Sequence, residues 1–356
     1  MRSALVYAEG YLKYHFGPHH PFQPERERKT VEKLRELGVL EGYAKLVEPE
    51  PAREEDLLMV HSKRYVDFVR RMSERGTGFL DYGDTPATKE LYEGATWVVG
   101  GSLKGAELVL GGEVEHAFNP GGGLHHAGSE HAAGFCVFND VVLSVRYLQR
   151  RGVRRIAVID TDGHHGDGTQ DLLYRETVLK ISFHREGIYP GTGYPWETGE
   201  GEGRGYSVNV PLPGGTSDDA YLFAFEEVVP PLLRAYRPEI LIHQFGVDGH
   251  FRDPLVGLGL TTHGYLALSR TMHELAHELC GGRYLVLGGG GYNPSDVCRC
   301  WTVMFSFLSG FPLERVEGLM DERRTSPPSI WREVREVVEE VKKNIFPLHG
   351  LEGRKG

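Results

Sequence analysis

A group of side chains that can bind a metal ion follows one short apolar segment of the chain. Residues 156–159 are rich in β-branched side chains, as in a buried strand, and positions 160–168 that follow are dominated by aspartate, histidine and glycine. Asp162 and His164 stand two positions apart, so in an extended backbone both side chains point the same way and can share one cation. The pattern predicts two ligands of a catalytic divalent metal, and a third ligand must come from another part of the chain.

Polar or glycine-rich segments follow the other predicted strands as well. These strands are residues 115–119, 178–183, 239–245 and 283–287, with a first short strand at 5–8. The side chains beyond their ends are His125 and His126, His184, Asp248 with Asp253, and Tyr292 after four glycines. Because the carboxyl ends of parallel strands meet at one edge of a sheet, these side chains are expected to converge on one active site.

Amphipathic segments separate the strands and must position them. Helices are predicted at residues 25–37, 61–72, 89–109, 135–149, 217–236 and 263–279. Strands that alternate with helices favour parallel pairing, so the fold class is α/β with a mostly parallel sheet and helices on both faces. The sequence contains no fixed-period repeat and no convincing linker, which predicts a single domain over residues 1–356.

The composition excludes several classes of protein. The formal net charge of −10 and the lack of a Lys/Arg run argue against a nucleic-acid partner. Four scattered cysteines are too few for a disulfide framework in 356 residues, and no apolar run is long enough for a signal peptide or membrane span. We expect a soluble cytoplasmic protein with no membrane partner, whereas its oligomeric state is not predictable.

Six segments taken together carry a family resemblance. They are residues 120–127, 134–140, 160–170, 190–193, 253–255 and 288–292. In this order, and over nearly the whole chain, they resemble the histone-deacetylase superfamily. The segment Phe-Gly-Pro-His-His-Pro-Phe at 16–22 and the compact length are most similar to bacterial acetoin-utilization-type deacetylases. The resemblance implies an α/β fold of the arginase-deacetylase type.

The resemblance also implies an activity and a metal. Its members are Zn²⁺-dependent amide hydrolases that release acetate and a free amine from acetylated lysine or a related acyl-amine, although Fe²⁺ suits the same ligands. Carried onto this chain, the metal ligands are Asp162, His164 and Asp253. Asp248 follows the same strand and competes with Asp253. Spacing alone favours neither, and the position before Pro254 favours Asp253.

Catalytic roles follow from the same resemblance. His125 is expected to pair with Asp160, and His126 with Asp167, so that each carboxylate fixes the tautomer of its histidine. His126 would be the general base, and His125 would orient the water. Tyr292 would donate a hydrogen bond to the tetrahedral oxyanion.

The resemblance extends to substrate and cation sites. Gly134 and Phe135 facing Tyr189 would form a narrow tube, with Leu260 near its rim, although core packing is an alternative for the three larger side chains. Asp84 would hold the substrate's polar end, and Arg26 is expected to line an exit path for acetate. A structural K⁺ would be held by Asp160, Ser182 and backbone carbonyls near Asp162, His164 and Phe183.

Two departures from the family pattern and three alternatives remain open. Tyr189 replaces the phenylalanine often found on the tube wall, and its hydroxyl would select acyl groups or simply reach water. Gly163 stands where relatives carry a bulkier apolar residue, which is expected to loosen the link between Asp162 and His164. An acetylpolyamine or other small-molecule amidohydrolase would use the same catalytic residues. A non-catalytic acyl-lysine-binding regulator would lack turnover, and an arginase-like enzyme would bind two metals.

Overall fold

One eight-stranded sheet forms the centre of the computed structural model, which describes residues 1–351. The strands are β1 Ser3–Val6, β2 Ala44–Val47, β3 His116–Asn119, β4 Ile156–Asp160, β5 Leu179–Arg185, β6 Ser207–Leu212, β7 Ile240–Gln244 and β8 Tyr284–Leu287. Their order is β2-β1-β3-β8-β7-β4-β5-β6, and each neighbouring pair is parallel. The predicted parallel sheet is therefore confirmed.

Both faces of the sheet are covered, because side chains from successive positions of a strand enter two separate apolar clusters. Val158 and Ile242 lie in one cluster, and Ile159 and Leu241 lie in the other. Every residue of β4 and β7 is buried, which explains why residues 156–159 and 240–242 are continuously apolar rather than alternating.

Helices supply the apolar surfaces that cover the sheet. They are α1 Glu25–Leu37, α2 Val39–Gly42, α3 Glu54–Leu57, α4 Lys63–Arg75, α5 Leu91–Leu110, α6 Asp140–Arg150, α7 Asp167–Leu173, α8 Asp218–Tyr236, α9 Thr262–Cys280, α10 Pro294–Leu308 and α11 Pro328–Ile345. Among residues 1–351, none of these helices combines the length and apolarity needed to cross a membrane.

The predicted helix at 135–149 begins five residues later than expected, at Asp140. The Asn139 side chain accepts a hydrogen bond from the Val142 N–H at 3.0 Å and so caps the helix. Phe135 has a φ of 65°, which a helix does not permit. Residues 134–138 are therefore a loop beside the sheet's carboxyl edge rather than the first turns of α6.

The strand register brings the carboxyl ends of the central strands to the same level. Asp160 of β4 lies opposite Gln244 of β7, and Gln244 lies opposite Leu287 of β8. On the other side, Asp160 lies opposite Ser182 of β5. The segments that follow these strands therefore start side by side, as a shared site requires.

Candidate active site

Two adjacent histidines each bind their own carboxylate at the carboxyl edge of the sheet. His125 Nδ1 lies 2.7 Å from Asp160 Oδ2, and His126 Nδ1 lies 2.6 Å from Asp167 Oδ1. Asp160 ends β4 and Asp167 begins α7, so rigid elements fix both carboxylates. The structure thus brings together both histidine–carboxylate pairs that the sequence suggested.

The glycine loop before the histidines allows both rings to turn toward one pocket. Gly123 has a φ of 92°, and a Cβ there would lie 2.7 Å from the Gly289 nitrogen. The buried Asp140 carboxylate accepts the N–H groups of Gly123 and Leu124, with shortest distances of 2.9 and 2.7 Å. The Gly289 N–H also donates to the Gly122 carbonyl at 2.8 Å, so a backbone hydrogen bond holds this loop against the loop that follows β8.

The pKa values of the two imidazoles are shifted in opposite directions. Their Nε2 atoms lie 3.1 Å apart, so one must donate and the other accept. Burial lowers the pKa of His125, but the charges of Asp160 and Asp162 outweigh burial and raise that pKa to about 9. Burial and the charge of His125 lower the pKa of His126 to about 4. His126 is therefore neutral near pH 7, as a general base must be.

A tight cluster of potential metal ligands contains Asp162, His164 and Asp248. Their candidate ligand atoms all lie within 4.8 Å of one another, and all three residues are buried. His164 Nδ1 lies 2.8 Å from Asp248 Oδ2 and 3.3 Å from Asp162 Oδ1. Although burial opposes it, hydrogen bonding to these carboxylates raises the pKa of His164 to about 10. The cluster attracts positive charge, which a divalent metal would supply.

Asp253 lies outside this close cluster and beside Tyr292. Its Oδ2 accepts the Tyr292 N–H at 2.8 Å, and its Oδ1 accepts the Leu255 N–H at 2.9 Å. Burial raises the pKa of Asp253 to about 6. Asp248 is fully buried, accepts the Gly163 N–H at 2.6 Å, and has a pKa raised to about 7 by burial and by the charge of Asp162. Asp248 therefore lies closer to His164 than Asp253 does.

Gly163 is held firmly instead of loosening the segment between Asp162 and His164. A Cβ at Gly163 would meet the Val256 side chain at 2.5 Å, so Val256 fills the space of a larger side chain. The Gly163 N–H donates to Asp248, and its carbonyl accepts the Arg185 N–H at 2.9 Å. Packing and hydrogen bonds from other segments therefore surround Gly163, and its effect on metal affinity stays a prediction.

A narrow passage beside the histidines contains a cavity of about 20 Å³, which Gly134, Phe135 and Tyr292 help to line. A Cβ at Gly134 would lie 2.4 Å from His126 Cδ2 and 2.9 Å from Tyr189 Cε1. The Phe135 ring lies 5.8 Å from that of Tyr292, edge to face. Burial raises the pKa of Tyr292 well above its ordinary value, so its hydroxyl keeps a proton to donate.

A pocket of about 910 Å³ lies outside this passage. It is lined by Phe68, Phe79, Leu80, Asp81, Tyr82, Gly83, Asp84, His131, Ala132, Ala133, Tyr189 and Pro190. Asp84 is exposed there, and burial together with the Asp81 charge raises the pKa of Asp84 to about 6. The structure therefore places Asp84 and Tyr189 in the lining of the same pocket.

Leu260 is placed elsewhere than expected. It is fully buried in the main apolar cluster, and its backbone bonds to Gly249 and Phe251. These backbone contacts turn its side chain into the core, so the structure does not bring Leu260 to an exposed rim.

Comparisons with known proteins agree with this geometry. A family model described as the histone deacetylase domain matches residues 20–308. The chain belongs to the histone deacetylase family. It is similar to a probable deacetylase of Archaeoglobus fulgidus, with 37% identity over 351 residues, 97% of this chain and 96% of that protein.

Two further members of the histone deacetylase family extend the comparison. The acetoin utilization protein AcuC of Bacillus subtilis is 36% identical over 346 residues, covering 92% of this chain and 89% of that protein. The crystal structure of the HDA15 HD domain matches with a TM-score of 0.84 and 31% identity, over 97% of this chain and 96% of that chain. The fold is therefore of the arginase-deacetylase type, as expected.

Gln244 contacts a candidate metal ligand of this histone deacetylase family chain, which the sequence did not indicate. Its Nε2 donates to Asp162 Oδ2 at 2.8 Å and to the Gly123 carbonyl at 3.1 Å. Asp162 Oδ2 also accepts the Gly290 N–H at 2.7 Å. Its position at the end of a buried strand is the one sequence feature from which Gln244 could have been identified.

The structure places Arg26 next to the loop that precedes Tyr292, and it brings two of the predicted cation ligands, Asp160 and Ser182, to one cavity. Arg26 is buried and donates to the Gly291 carbonyl at 2.8 Å, next to Tyr292. Asp160 and Ser182 line a small cavity of about 20 Å³. Phe183 follows Ser182 in β5 and is fully buried.

Proposed function

We propose that this chain is a metal-dependent deacetylase, a single catalytic domain that hydrolyses the linear amide of an acetylated lysine to a free amine and acetate. The observation that carries the proposal is the neutral His126, bound to Asp167 and facing the cluster of Asp162 and His164 across one narrow passage. Membership of the histone deacetylase family supports the same chemistry.

The donor set fits a divalent transition metal. We assign Asp162, His164 and Asp253 as ligands of Zn²⁺ on the family pattern, with Fe²⁺ as the alternative ion. Asp248 is the alternative third ligand, because it lies closer to His164. When bound, the metal would lower the pKa of a water molecule and polarise the acyl carbonyl. Metal affinities of Asp248→Asn and Asp253→Asn separate the two candidates, since replacing the true ligand weakens binding more.

His126 is assigned the proton transfers. The Asp167 carboxylate accepts the His126 Nδ1 proton, so the lone pair of His126 is on Nε2, 3.1 Å from His125 Nε2. This lone pair would exchange its contact with His125 for a proton from the attacking water. The same nitrogen then returns the proton to the leaving amine. His125, which carries a proton and lies 3.1 Å away, supplies positive charge beside the developing oxyanion.

Tyr292 and the passage walls are assigned the remaining steps. The Tyr292 hydroxyl donates a hydrogen bond to the oxyanion, and the Tyr292 backbone is fixed by Asp253. Gly134, Phe135 and Tyr189 exclude water from the acyl group and orient the lysine stem. A structural K⁺ between Asp160 and Ser182, with carbonyls near Asp162, His164 and Phe183, would support the strand ends.

An acetylated lysine within a peptide is the proposed substrate, because the outer pocket of about 910 Å³ has room for residues flanking the lysine. An acetylpolyamine is the second candidate, since the exposed Asp84 beside Asp81 would attract a cationic amine. Rates on an acetyl-lysine peptide and on acetylspermidine, for the wild type and Asp84→Asn, test this choice. The proposal expects the peptide to be the faster substrate, and a preference for acetylspermidine that Asp84→Asn abolishes would overturn it.

A further inference from the structure

Three histidines gather at the edge of the sheet opposite the active site. His116 is the first residue of β3, whereas the active-site loop follows the last residue of that strand. His273 and His277 are four positions apart in α9, so they lie on the same face of the helix. One ring nitrogen from each of the three lies within 4.8 Å of the others. The cluster is thus separate from the histidines that serve the proposed hydrolysis.

Hydrogen bonding fixes which nitrogen of His116 carries its proton. The Ser3 hydroxyl donates to the Leu308 carbonyl at 2.7 Å, so its oxygen can only accept from His116 Nδ1, which lies 3.2 Å away. His116 Nε2 therefore holds a lone pair. Histidines that ligate metals commonly have their other ring nitrogen fixed in this way by an oxygen.

That lone pair has no partner, although His116 is only 2% exposed. A buried polar atom without a hydrogen bond carries a free-energy penalty, and an ion is one way to satisfy it. Oε2 of the adjacent Glu115 also lacks a hydrogen-bond partner, and it lies 3.8 Å from His277 Nε2. A buried carboxylate oxygen without a hydrogen bond therefore lies beside His277, one of the three histidines.

We propose that His116, His273 and His277 form a second metal site, which takes a divalent transition metal such as Zn²⁺, with the Glu115 carboxylate as the fourth ligand. Three imidazoles and one carboxylate suit such an ion and do not suit Mg²⁺ or Ca²⁺. Ligand atoms around tetrahedral Zn²⁺ are about 3.4 Å apart, so the cluster needs to contract by about 1 Å. His273 and His277 are partly or largely exposed, which leaves them free to move and gives the ion a path from solvent.

The site would join two elements that are distant in sequence. An ion held by His116 and by the two α9 histidines ties the start of β3 to the last turns of α9. Its distance from the carboxyl edge gives it a structural role and no part in catalysis. Arg2 Nη1, 3.6 Å from Glu115 Oε2, is a surface competitor that the ion must displace.

The test compares the metal content of the full chain with that of His273→Ala/His277→Ala. Both proteins are stripped with a chelator and dialysed against micromolar Zn²⁺, and bound zinc is measured by mass spectrometry. We expect the variant to bind one equivalent fewer than the wild type, while a variant lacking Asp162 and His164 keeps this second equivalent. Equal zinc content in the wild type and in His273→Ala/His277→Ala overturns the proposal. The absence of a second zinc equivalent from the wild type at micromolar Zn²⁺ overturns it as well.

Controls separate the site from general effects on α9. Glu274→Ala changes an exposed residue of the same helix and should leave the zinc content unchanged. Ser3→Ala removes the partner of His116 Nδ1 and should lower the affinity for the second zinc ion about tenfold. Zn²⁺ should raise the melting temperature of the wild type more than that of His277→Ala, whose side chain lies at the surface. An equal rise in both proteins contradicts the site, and it leaves the proposed hydrolysis unaffected.

Discussion

His126 and Asp167 are joined by a hydrogen bond of 2.6 Å between Nδ1 and Oδ1. Asp167→Asn should lower kcat about 10²-fold, because an amide no longer stabilises the His126 proton or fixes its tautomer. Metal content should not change, since neither residue belongs to the close ligand cluster. Steady-state kinetics and metal analysis of the purified variant measure both quantities.

Asp171→Asn is the matched control, because Asp171 is exposed on the same helix α7. It should retain the wild-type kcat. Full activity in Asp167→Asn would show that His126 needs no carboxylate partner, and the assignment of the general base would fail.

Tyr292→Phe should reduce turnover about 10²- to 10³-fold while metal and substrate still bind. The variant removes only the hydroxyl that donates to the oxyanion and keeps the ring against Phe135. Tyr189→Phe is the control, since the Tyr189 ring also contacts His126 but its hydroxyl has no assigned role. Unchanged kcat in Tyr292→Phe would refute the oxyanion assignment.

Gly134→Ala should lower kcat/KM about 10²-fold, because its methyl group would lie 2.4 Å from His126 Cδ2 and displace the general base. Gly187→Ala is the control for backbone strain. Gly187 also has a positive φ, of 75°, but a Cβ there meets no atom within 4 Å. Similar kinetics in the two variants would mean that position 134 requires glycine only for its backbone conformation and not to leave space for His126.

His61 and His243 should each make a contribution to stability that is lost as the pH drops below about 6.5. Burial lowers the pKa of His61 to about 4 and that of His243 to about 3, from 6.5 in the unfolded chain. Between about pH 6.5 and 4 each of these histidines therefore binds more protons in the unfolded state than in the folded state. Each lowers the free energy of unfolding by about 1.4 kcal/mol for every pH unit of acidification. Urea unfolding at pH 7, 6 and 5 measures this slope.

His61→Gln keeps an acceptor for the Asn139 N–H and removes one titrating group. The pH dependence of its unfolding free energy should be shallower than that of the wild type by about one proton. An identical slope in both proteins would contradict the assignment of His61 as a buried neutral histidine.

The sequence predicted those features that depend on short-range pattern. The bounds of α1, 25–37, agree with the structure because its apolar spacing is regular and Gly38 ends it in a left-handed conformation. The convergence of strand ends was predictable because parallel strands share one carboxyl edge. Pairing of His125 with Asp160 came from the family resemblance and matches the geometry.

Features that depend on contacts between distant segments could not be predicted. The apolar residues at 135–138 continue the pattern of α6 and predict a start at 135, whereas these residues fold into the loop beside the site. β2 and β6 are short strands that the pattern did not reveal. The closeness of Asp248 to His164 depends on how two loops meet, and spacing cannot supply it.

Acetate release from an acetyl-lysine peptide by the stripped and Zn²⁺-reconstituted protein tests the central claim most directly. The account predicts that stripping abolishes release, that Zn²⁺ restores one acetate for each free amine, and that His126→Ala remains inactive with its metal bound. A zinc-loaded, folded wild-type protein that releases no acetate from any acyl-amine, or equal release by His126→Ala, would contradict it.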